Sequence, residues 1–140
     1  MPITLALFDM AATTVDDTIA GRPLVLQSFA DSLATVQVVV PWELLNAQRG
    51  KDKREVFRTI LAGHGGFQGA LLEHTTHTLL THFTGQLLAN VTHLREMPGA
   101  TAAFRFLKQQ GVFIALGSGF PLEVTQAISQ HLGWSTAGLV

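Results

Sequence analysis

The strongest constraint on the fold is a pair of short apolar runs that lie far apart in the chain. The first run, Ile3 to Phe8, shows little alternation and ends at Asp9, and the second, Val112 to Leu116, is followed by the loop Gly117-Ser118-Gly119. Apolar runs of this kind are typical of parallel strands that are buried on both faces. We therefore expect one parallel sheet with the first run at its centre.

Helical patterns flank the second run. Thr101 to Gln110 follows Pro98-Gly99 and ends at Gly111, which suits a left-handed helix stop, and Pro121 to Leu132 precedes Gly133. Alternation of strand, loop and helix indicates an α/β sheet with helices on its faces.

The long segment between the two runs has helical spacing almost throughout. The sequence predicts four helices there, Thr18 to Leu33, Pro41 to Gln48, Asp52 to Ala62 and Phe67 to Asn90. We therefore expect an α/β core formed by residues 1–16 and 97–140, with a helical insert at 17–96 and hinges near 16–17 and 95–98.

Composition excludes several classes of function. The 140 residues carry a net charge of -1 and only 14% charged side chains, and no strong basic cluster favours nucleic acid or anionic membrane surfaces. No stretch of the sequence is typical of a membrane span. The chain has no cysteine, which excludes disulfides and thiolate metal sites and suits a reducing cytoplasm.

The segment after the first run could carry chemistry. An aspartate at the carboxyl end of a buried strand lies where open α/β sheets bind ligands, which singles out Asp9. Ala11 and Ala12 are small enough for the backbone to approach a ligand, and Thr13 and Thr14 add hydroxyl groups. A lone aspartate here is weak evidence for catalysis, because turns also favour Asp and most such residues are turn residues.

The whole string resembles motif I of the haloacid dehalogenase superfamily, a hydrophobic strand followed by Asp-x-Asp-Gly-Thr, and in particular its phosphonatase branch, in which Ala replaces the second Asp. The first Asp of the motif corresponds to Asp9, and Ala11 stands at the position of the second Asp. Thr13 corresponds to the Thr of the motif, and Ala12 stands where the family usually has Gly. The resemblance implies a Rossmannoid parallel sheet with an α-helical cap. It also implies that Asp9 forms an aspartyl-phosphate, that Asp9 and the Ala11 carbonyl hold Mg²⁺, and that Ala12 and Thr13 contact substrate.

The loop after the second run is similar to motif II of the same superfamily, in which a Ser or Thr binds the phosphoryl group. Ser118 is the matching residue, with Gly119 beside it. A turn serine between two glycines is the alternative explanation.

A third match lies within the helical insert. Gly50-Lys51-Asp52-Lys53 matches the Gly-x-x-Lys of phosphonatase-like caps, which implies that Lys53 forms a Schiff base with an aldehyde substrate and that Gly50 contacts substrate. Such a lysine needs a lowered pKa, from burial or from cations such as Lys51 and Arg54. The alternative is a solvated helix face. The chain departs from phosphonatases at Met10, where they have Trp, and at Arg49, where they have Met.

Two later motifs of the superfamily have no match. They supply a Lys or Arg beside the nucleophile and acidic residues for Mg²⁺, whereas this sequence has no Lys or Arg after Lys108 and no acidic residue after Glu123. We therefore expect an incomplete core, from a fragment or a natural truncation.

Two further side-chain groups have simple explanations. The histidines His74, His77 and His82 do not share one helical face, and the spacing therefore does not favour zinc. The aromatic residues Phe104, Phe106 and Phe113 are expected in the core.

Three hypotheses follow. The first is a phosphonatase-like hydrolase that acts on a small phosphorylated or phosphonate metabolite. The second is a catalytically silent module that acts by binding or assembly, including homo-oligomer formation through an exposed core surface. The third is a helical binding domain in which Asp9 is only a turn residue, and a first strand at the sheet edge would favour it. The sequence leaves the substrate and the leaving group open.

Overall fold

The computed structural model describes residues 2–140. The strands are β1 Leu5–Asp9, β2 Val15–Asp16, β3 Thr18–Ile19, β4 Arg22–Pro23, β5 Arg95–Glu96 and β6 Phe113–Gly117. The helices are α1 Leu24–Ala34, α2 Trp42–Asn46, α3 Lys53–Gly63, α4 Gly69–Asn90, α5 Ala100–Gln109 and α6 Leu122–His131, with a 3₁₀ turn at Val91–His93.

The parallel pair β1 and β6 positions the two predicted loops. The register runs from Leu5 opposite Phe113 to Asp9 opposite Gly117, so that the carboxyl ends of both strands lie side by side. This arrangement confirms the predicted α/β class with a parallel sheet. It also brings Asp9 beside the loop that contains Ser118.

Two details of the predicted sheet are wrong. Among the described residues β1 pairs only with β6, so within the two-stranded sheet that these residues form it is not a central strand. Its burial alternates instead of being complete, because only one face of the pair is covered, and Leu5 and Leu7 are 59% and 70% exposed.

The aromatic residues follow the same division between the two faces. Phe104 of α5 is fully buried and packs against Phe8, with their ring centroids 5.2 Å apart. Phe113 lies on the uncovered face and is 68% exposed, and Phe106 points outward from α5. The core prediction is therefore correct for Phe104 and wrong for Phe106 and Phe113.

The insert is mainly helical, but it opens with a β-hairpin that the sequence analysis missed. Ala20 and Gly21 have φ angles of 50° and 78°, and this left-handed pair turns β3 back into β4. The helix predicted from Thr18 therefore begins only at Leu24. The other three predicted helices are present as α2, α3 and α4 with shifted ends.

A cluster of phenylalanines packs α1, α3 and α4 together. Phe29, Phe57 and Phe83 are fully buried, and their ring centroids lie 4.7–5.6 Å apart. Aromatic contacts of this kind add stabilisation beyond area burial, by about 0.5–1.5 kcal/mol per pair. The packing fixes the start of α3, where Lys53 is the first residue.

The two crossings between the proposed core and insert lie next to each other. β2 and β5 form an antiparallel pair with Asp16 opposite Arg95, and the Met97 amide donates to the Thr14 carbonyl at 2.8 Å. The division at residues 16–17 and 96–97 remains a prediction.

Candidate functional site

A cavity of about 190 Å³ lies where the carboxyl ends of β1 and β6 meet the loop before α3. Its lining residues are Asp9, Ala11, Val25, Arg49, Gly50, Lys53, Ser118, Gly119 and Phe120. Six of these were predicted as site residues from the sequence, whereas two other predicted residues, Ala12 and Thr13, are not part of the lining. A larger cavity of about 670 Å³ along β6 and α6 has no charged side chain in its lining.

The carboxylate of Asp9 is held by the loop that follows it. The Thr13 hydroxyl donates to Asp9 Oδ2 at 3.2 Å, and the Thr14 hydroxyl donates to the Asp9 carbonyl at 2.8 Å. The amides of Thr13, Thr14 and Val15 all point at the Met10 carbonyl, at 2.9–3.1 Å. Thr13 therefore orients the Asp9 carboxylate in this structure, instead of lining the cavity.

Ala12 occupies a backbone conformation that favours glycine. Its φ is 62°, in the left-handed region, where a side chain other than Gly costs about 1–2 kcal/mol. The resemblance places a Gly at this position, and the geometry gives a physical reason for that preference.

Ala12→Gly should relieve this strain. Part of the gain is offset because glycine has more freedom in the unfolded chain, so we expect the free energy of unfolding to rise by about 1 kcal/mol or less. Urea unfolding followed by circular dichroism measures it. Ala11→Gly is the matched control, because Ala11 is not among the residues with positive φ, and it should lower stability. A loss of stability in Ala12→Gly as large as in the control would contradict the account.

Ser118 can act as a turn residue and as a phosphate ligand at once. The Phe120 amide donates to Ser118 Oγ at 2.9 Å, which is the turn contact that the alternative explanation predicts. This bond uses the oxygen as an acceptor and leaves the hydroxyl proton available, because a hydroxyl both donates and accepts. Ser118 lines the cavity with Asp9, and its proton can be donated to a ligand there.

Lys53 is a buried amine and not part of a solvated helix face. The residue is 5% exposed, and its Nζ donates to the Lys51 carbonyl at 2.8 Å. Burial lowers the pKa of Lys53, Asp52 partly opposes this, and the nearby Arg49 guanidinium lowers it further. The cation that lowers the pKa of Lys53 is thus Arg49. The prediction that its sequence neighbours Lys51 and Arg54 do so is wrong.

Gly119 brings the Ser118 loop against the start of α3. A Cβ at this position would lie 2.7 Å from Lys53 Nζ and 3.2 Å from the Gly50 carbonyl carbon. Gly50 itself has a φ of 80°, in the left-handed region that favours glycine. These two glycines allow the loops of Ser118 and Lys53 to meet closely enough to share one cavity.

Arg49 is a site residue that the sequence analysis did not propose. It lines the cavity, and its Nη2 donates to Asp17 Oδ1 at 3.2 Å. The only signal in the sequence was its departure from the phosphonatase pattern, because Asp17 is 32 residues away in the chain.

The oxygen atoms at the site suit a hard cation. Mg²⁺ is commonly bound through one or two carboxylates and keeps several waters, and Asp9 and Ala11 both line the cavity. Within residues 2–140 no group of three or more His, Asp or Glu side chains could hold a metal. None of the described helices has the length and apolar character needed to cross a membrane.

No protein-family model matches the sequence, and no curated protein matches it. Solved structures do match. A phosphonoacetaldehyde hydrolase-like protein from Oleispira antarctica has a TM-score of 0.73 and 18% identity, over 99% of this chain and 51% of that one. CbbY from Rhodobacter sphaeroides, in complex with phosphate, has a TM-score of 0.70 and 19% identity, over 94% and 57% of the two chains.

A third structure, assigned as a haloacid dehalogenase-like hydrolase from Bacteroides fragilis, has a TM-score of 0.69 and 19% identity, over 92% of this chain and 57% of that one. The chain therefore has the α/β fold of haloacid dehalogenase-like hydrolases, and it spans about half the length of the structures it resembles.

Proposed function

We propose that the chain forms the nucleophile-bearing part of a phosphonatase-like hydrolase that cleaves a small phosphorus-containing metabolite. The observation that carries the proposal is the shared cavity of Asp9, Lys53 and Ser118, three residues from widely separated parts of the chain. In this proposal Asp9 is the nucleophile, Lys53 forms an imine with the substrate and Ser118 binds the phosphoryl group. The absence of cysteine favours a reducing cytoplasm as the site of action.

In the proposed reaction the Asp9 carboxylate attacks phosphorus and displaces the organic group. The product is an acyl phosphate, which water then hydrolyses to regenerate the carboxylate and release phosphate. Thr13 holds Oδ2 by a hydrogen bond, so that Oδ1 is the freer oxygen for attack. The Ser118 hydroxyl donates to a phosphoryl oxygen, which carries negative charge at every stage of the reaction.

The proposed cofactor is Mg²⁺, held by the Asp9 carboxylate and the Ala11 carbonyl. When bound, the ion neutralises the charge of the phosphoryl oxygens. Both residues line the cavity, which supports this role.

Lys53 supports the phosphonatase branch of the proposal. Its neutral amine adds to an aldehyde carbonyl, water leaves, and the imine takes up a proton from solvent to give a protonated imine. That imine accepts the electron pair of the phosphorus–carbon bond as Asp9 takes the phosphoryl group, and the resulting enamine is protonated and hydrolysed to free the lysine. The burial that lowers the pKa of Lys53 favours the neutral amine. The structural resemblance to the phosphonoacetaldehyde hydrolase-like protein from Oleispira antarctica also supports the phosphonatase branch.

Release of phosphate from the purified chain tests the proposal. With Mg²⁺ and a panel of small phosphoesters and phosphonates, we expect activity that falls by about 10- to 100-fold in Ser118→Ala, because hydrogen bonds to charged groups are worth about 1.5–3 kcal/mol. Ser118→Thr keeps the hydroxyl and should retain most of the activity. Equal activity in Ser118→Ala and the wild type would contradict the role of Ser118.

The second candidate function, assembly without catalysis, is favoured by the uncovered face of the sheet. Leu5, Leu7 and Phe113 form an exposed apolar patch on the strands β1 and β6. Contiguous apolar surface of this kind favours association, here with a second copy of the chain.

Leu7→Gln should weaken that self-association. Sedimentation velocity across a concentration series is expected to show dimers or larger species in the wild type and a shift toward monomer in the variant. Leu122→Gln is the matched control, because Leu122 is 73% exposed on α6 and lies outside the patch. A wild type that stays monomeric at all concentrations would contradict the assembly hypothesis.

The third hypothesis, a helical binding domain, would be favoured by β1 at a sheet edge. β1 has a single partner among the described residues, but so does β6, and the edge position therefore does not distinguish the hypotheses. The clustering of Asp9 with Lys53 and Ser118 favours an active site over a turn role for Asp9.

A further inference from the structure

Arg49 is only partly used by its ion pair with Asp17. A guanidinium and a carboxylate can pair through two parallel hydrogen bonds, but here a single contact joins Arg49 Nη2 to Asp17 Oδ1 at 3.2 Å. The other carboxylate oxygen, Asp17 Oδ2, is buried and has no hydrogen-bond partner. The pair is therefore end-on, and most of the five N–H donors of Arg49 are not used by Asp17.

The unused donors belong to a side chain that lines the catalytic cavity. Arg49 is about a quarter exposed, whereas the side chain of Asp17 is 3% exposed. A guanidinium remains charged at all working pH values, and its planar fork matches a carboxylate or a phosphate. Asp17 thus fixes the end of the Arg49 side chain while the rest of the guanidinium is available on the cavity side.

The cavity is too small for a large second group. Its volume is about 190 Å³. It lies below the range of about 300–1,000 Å³ that is common for ligand pockets. A phosphoryl group near Asp9 and Ser118 takes up part of this small cavity, which favours the smaller of the two anions, a carboxylate.

We propose that Arg49 binds a carboxylate on the organic part of the substrate, so that the cavity selects a small compound with one phosphoryl and one carboxylate group. This inference rests on the proposed function, because it takes the phosphoryl subsite at Asp9 and Ser118 as given. Asp17 is a positioning residue in this account, and Arg49 determines specificity.

Two matched ligands test the inference by isothermal titration calorimetry on the full chain at a fixed Mg²⁺ concentration. Phosphonoacetate carries the carboxylate, and phosphonoacetamide has the same size with a neutral amide in its place. We expect phosphonoacetate to bind about 10- to 100-fold more tightly, as a charge-assisted hydrogen bond predicts. Arg49→Met should abolish this preference, and Arg49→Lys should keep part of it.

Two variants control for charge and folding. Arg54→Met removes an exposed cation that contacts Glu73 at 3.6 Å outside the cavity, and it should keep the full preference. Arg49→Met leaves the buried Asp17 carboxylate without its partner, which can destabilise the fold. The double variant Asp17→Asn, Arg49→Met removes that buried charge and should also show no preference.

The outcomes separate this inference from the proposed function. Equal affinity for the two ligands in the wild type, or a preference that persists in both Arg49→Met and the double variant, would overturn the role of Arg49. If inorganic phosphate still binds in that case and Ser118→Ala weakens it, the phosphoryl subsite stands alone. If neither the phosphonates nor phosphate bind to the wild type, both the inference and the phosphoryl subsite are wrong.

Discussion

Asp9→Asn is expected to reduce Mg²⁺-dependent phosphate release by on the order of 10⁴-fold or more, since the covalent route is lost with its nucleophile. The amide has nearly the same shape as the carboxylate, but its oxygen is a poor nucleophile toward phosphorus. Asn can still accept the hydrogen bond from Thr13, so the loop should remain folded. Phosphate release under single-turnover conditions measures the loss, and thermal melting confirms that the variant is folded.

Asp16→Asn is the matched control for this experiment. Asp16 also follows β1 closely, but its carboxylate accepts from the Thr18 amide at 3.0 Å and is not part of the cavity lining. Its activity should stay within a few-fold of the wild type. Turnover by Asp9→Asn at the control level would exclude Asp9 as the nucleophile.

The second large effect concerns trapping of an imine at Lys53. With phosphonoacetaldehyde and borohydride, the peptide that contains Lys53 should be reductively alkylated, and Lys53→Met should lose the label entirely. The reacting species is the neutral amine, so the rate should rise with pH and level off once the pH exceeds the amine pKa. Because burial lowers the pKa of Lys53, its rate should level off at a lower pH than that of an exposed lysine.

Lys51 and Gly119 provide the controls for Lys53. Lys51 is exposed and two residues away, and Lys51→Met should leave the labelling unchanged. Gly119→Ala introduces a Cβ at 2.7 Å from Lys53 Nζ and should slow trapping, whereas Gly63→Ala, with open space around it, should not. Labelling of Lys51 and Lys53 with the same pH profile would contradict a special role for Lys53 in imine formation.

The positions of Asp9 and Ser118 could be anticipated from the sequence because both follow apolar strands directly. Parallel pairing places the carboxyl ends of such strands at one edge, whatever the chain between them does. The structure has this pairing, with Asp9 opposite Gly117. The roles of these residues came from the resemblance and remain proposals.

Contacts between distant residues could not be anticipated in the same way. Arg49 lies in the loop between α2 and α3 and Asp17 precedes β3, and no local pattern encodes the contact between two residues so far apart in the chain. For the same reason the cation near Lys53 was sought among its sequence neighbours. Local charge spacing predicts pairs on one helix, but it does not predict pairs between loops.

The errors in the sheet and the hairpin have separate physical causes. An apolar run reads the same whether one or both faces are buried, so the exposure of Leu5 and Leu7 was not predictable from composition. The β3–β4 turn was not predicted because Ala20 adopts a positive φ that alanine rarely takes. The residues around it have helical spacing, and the sequence therefore predicted a helix there.

The central claim is that Asp9 accepts a phosphoryl group in the cavity it shares with Lys53 and Ser118. Incubation of the chain with Mg²⁺ and acetyl phosphate, followed by rapid acid quench and peptide mass spectrometry, tests it most directly. The account predicts one phosphoryl group on Asp9 that hydroxylamine removes, as expected for an acyl phosphate, and no such label in Asp9→Asn. A hydroxylamine-stable label, a label on another residue, or no label at all would contradict it.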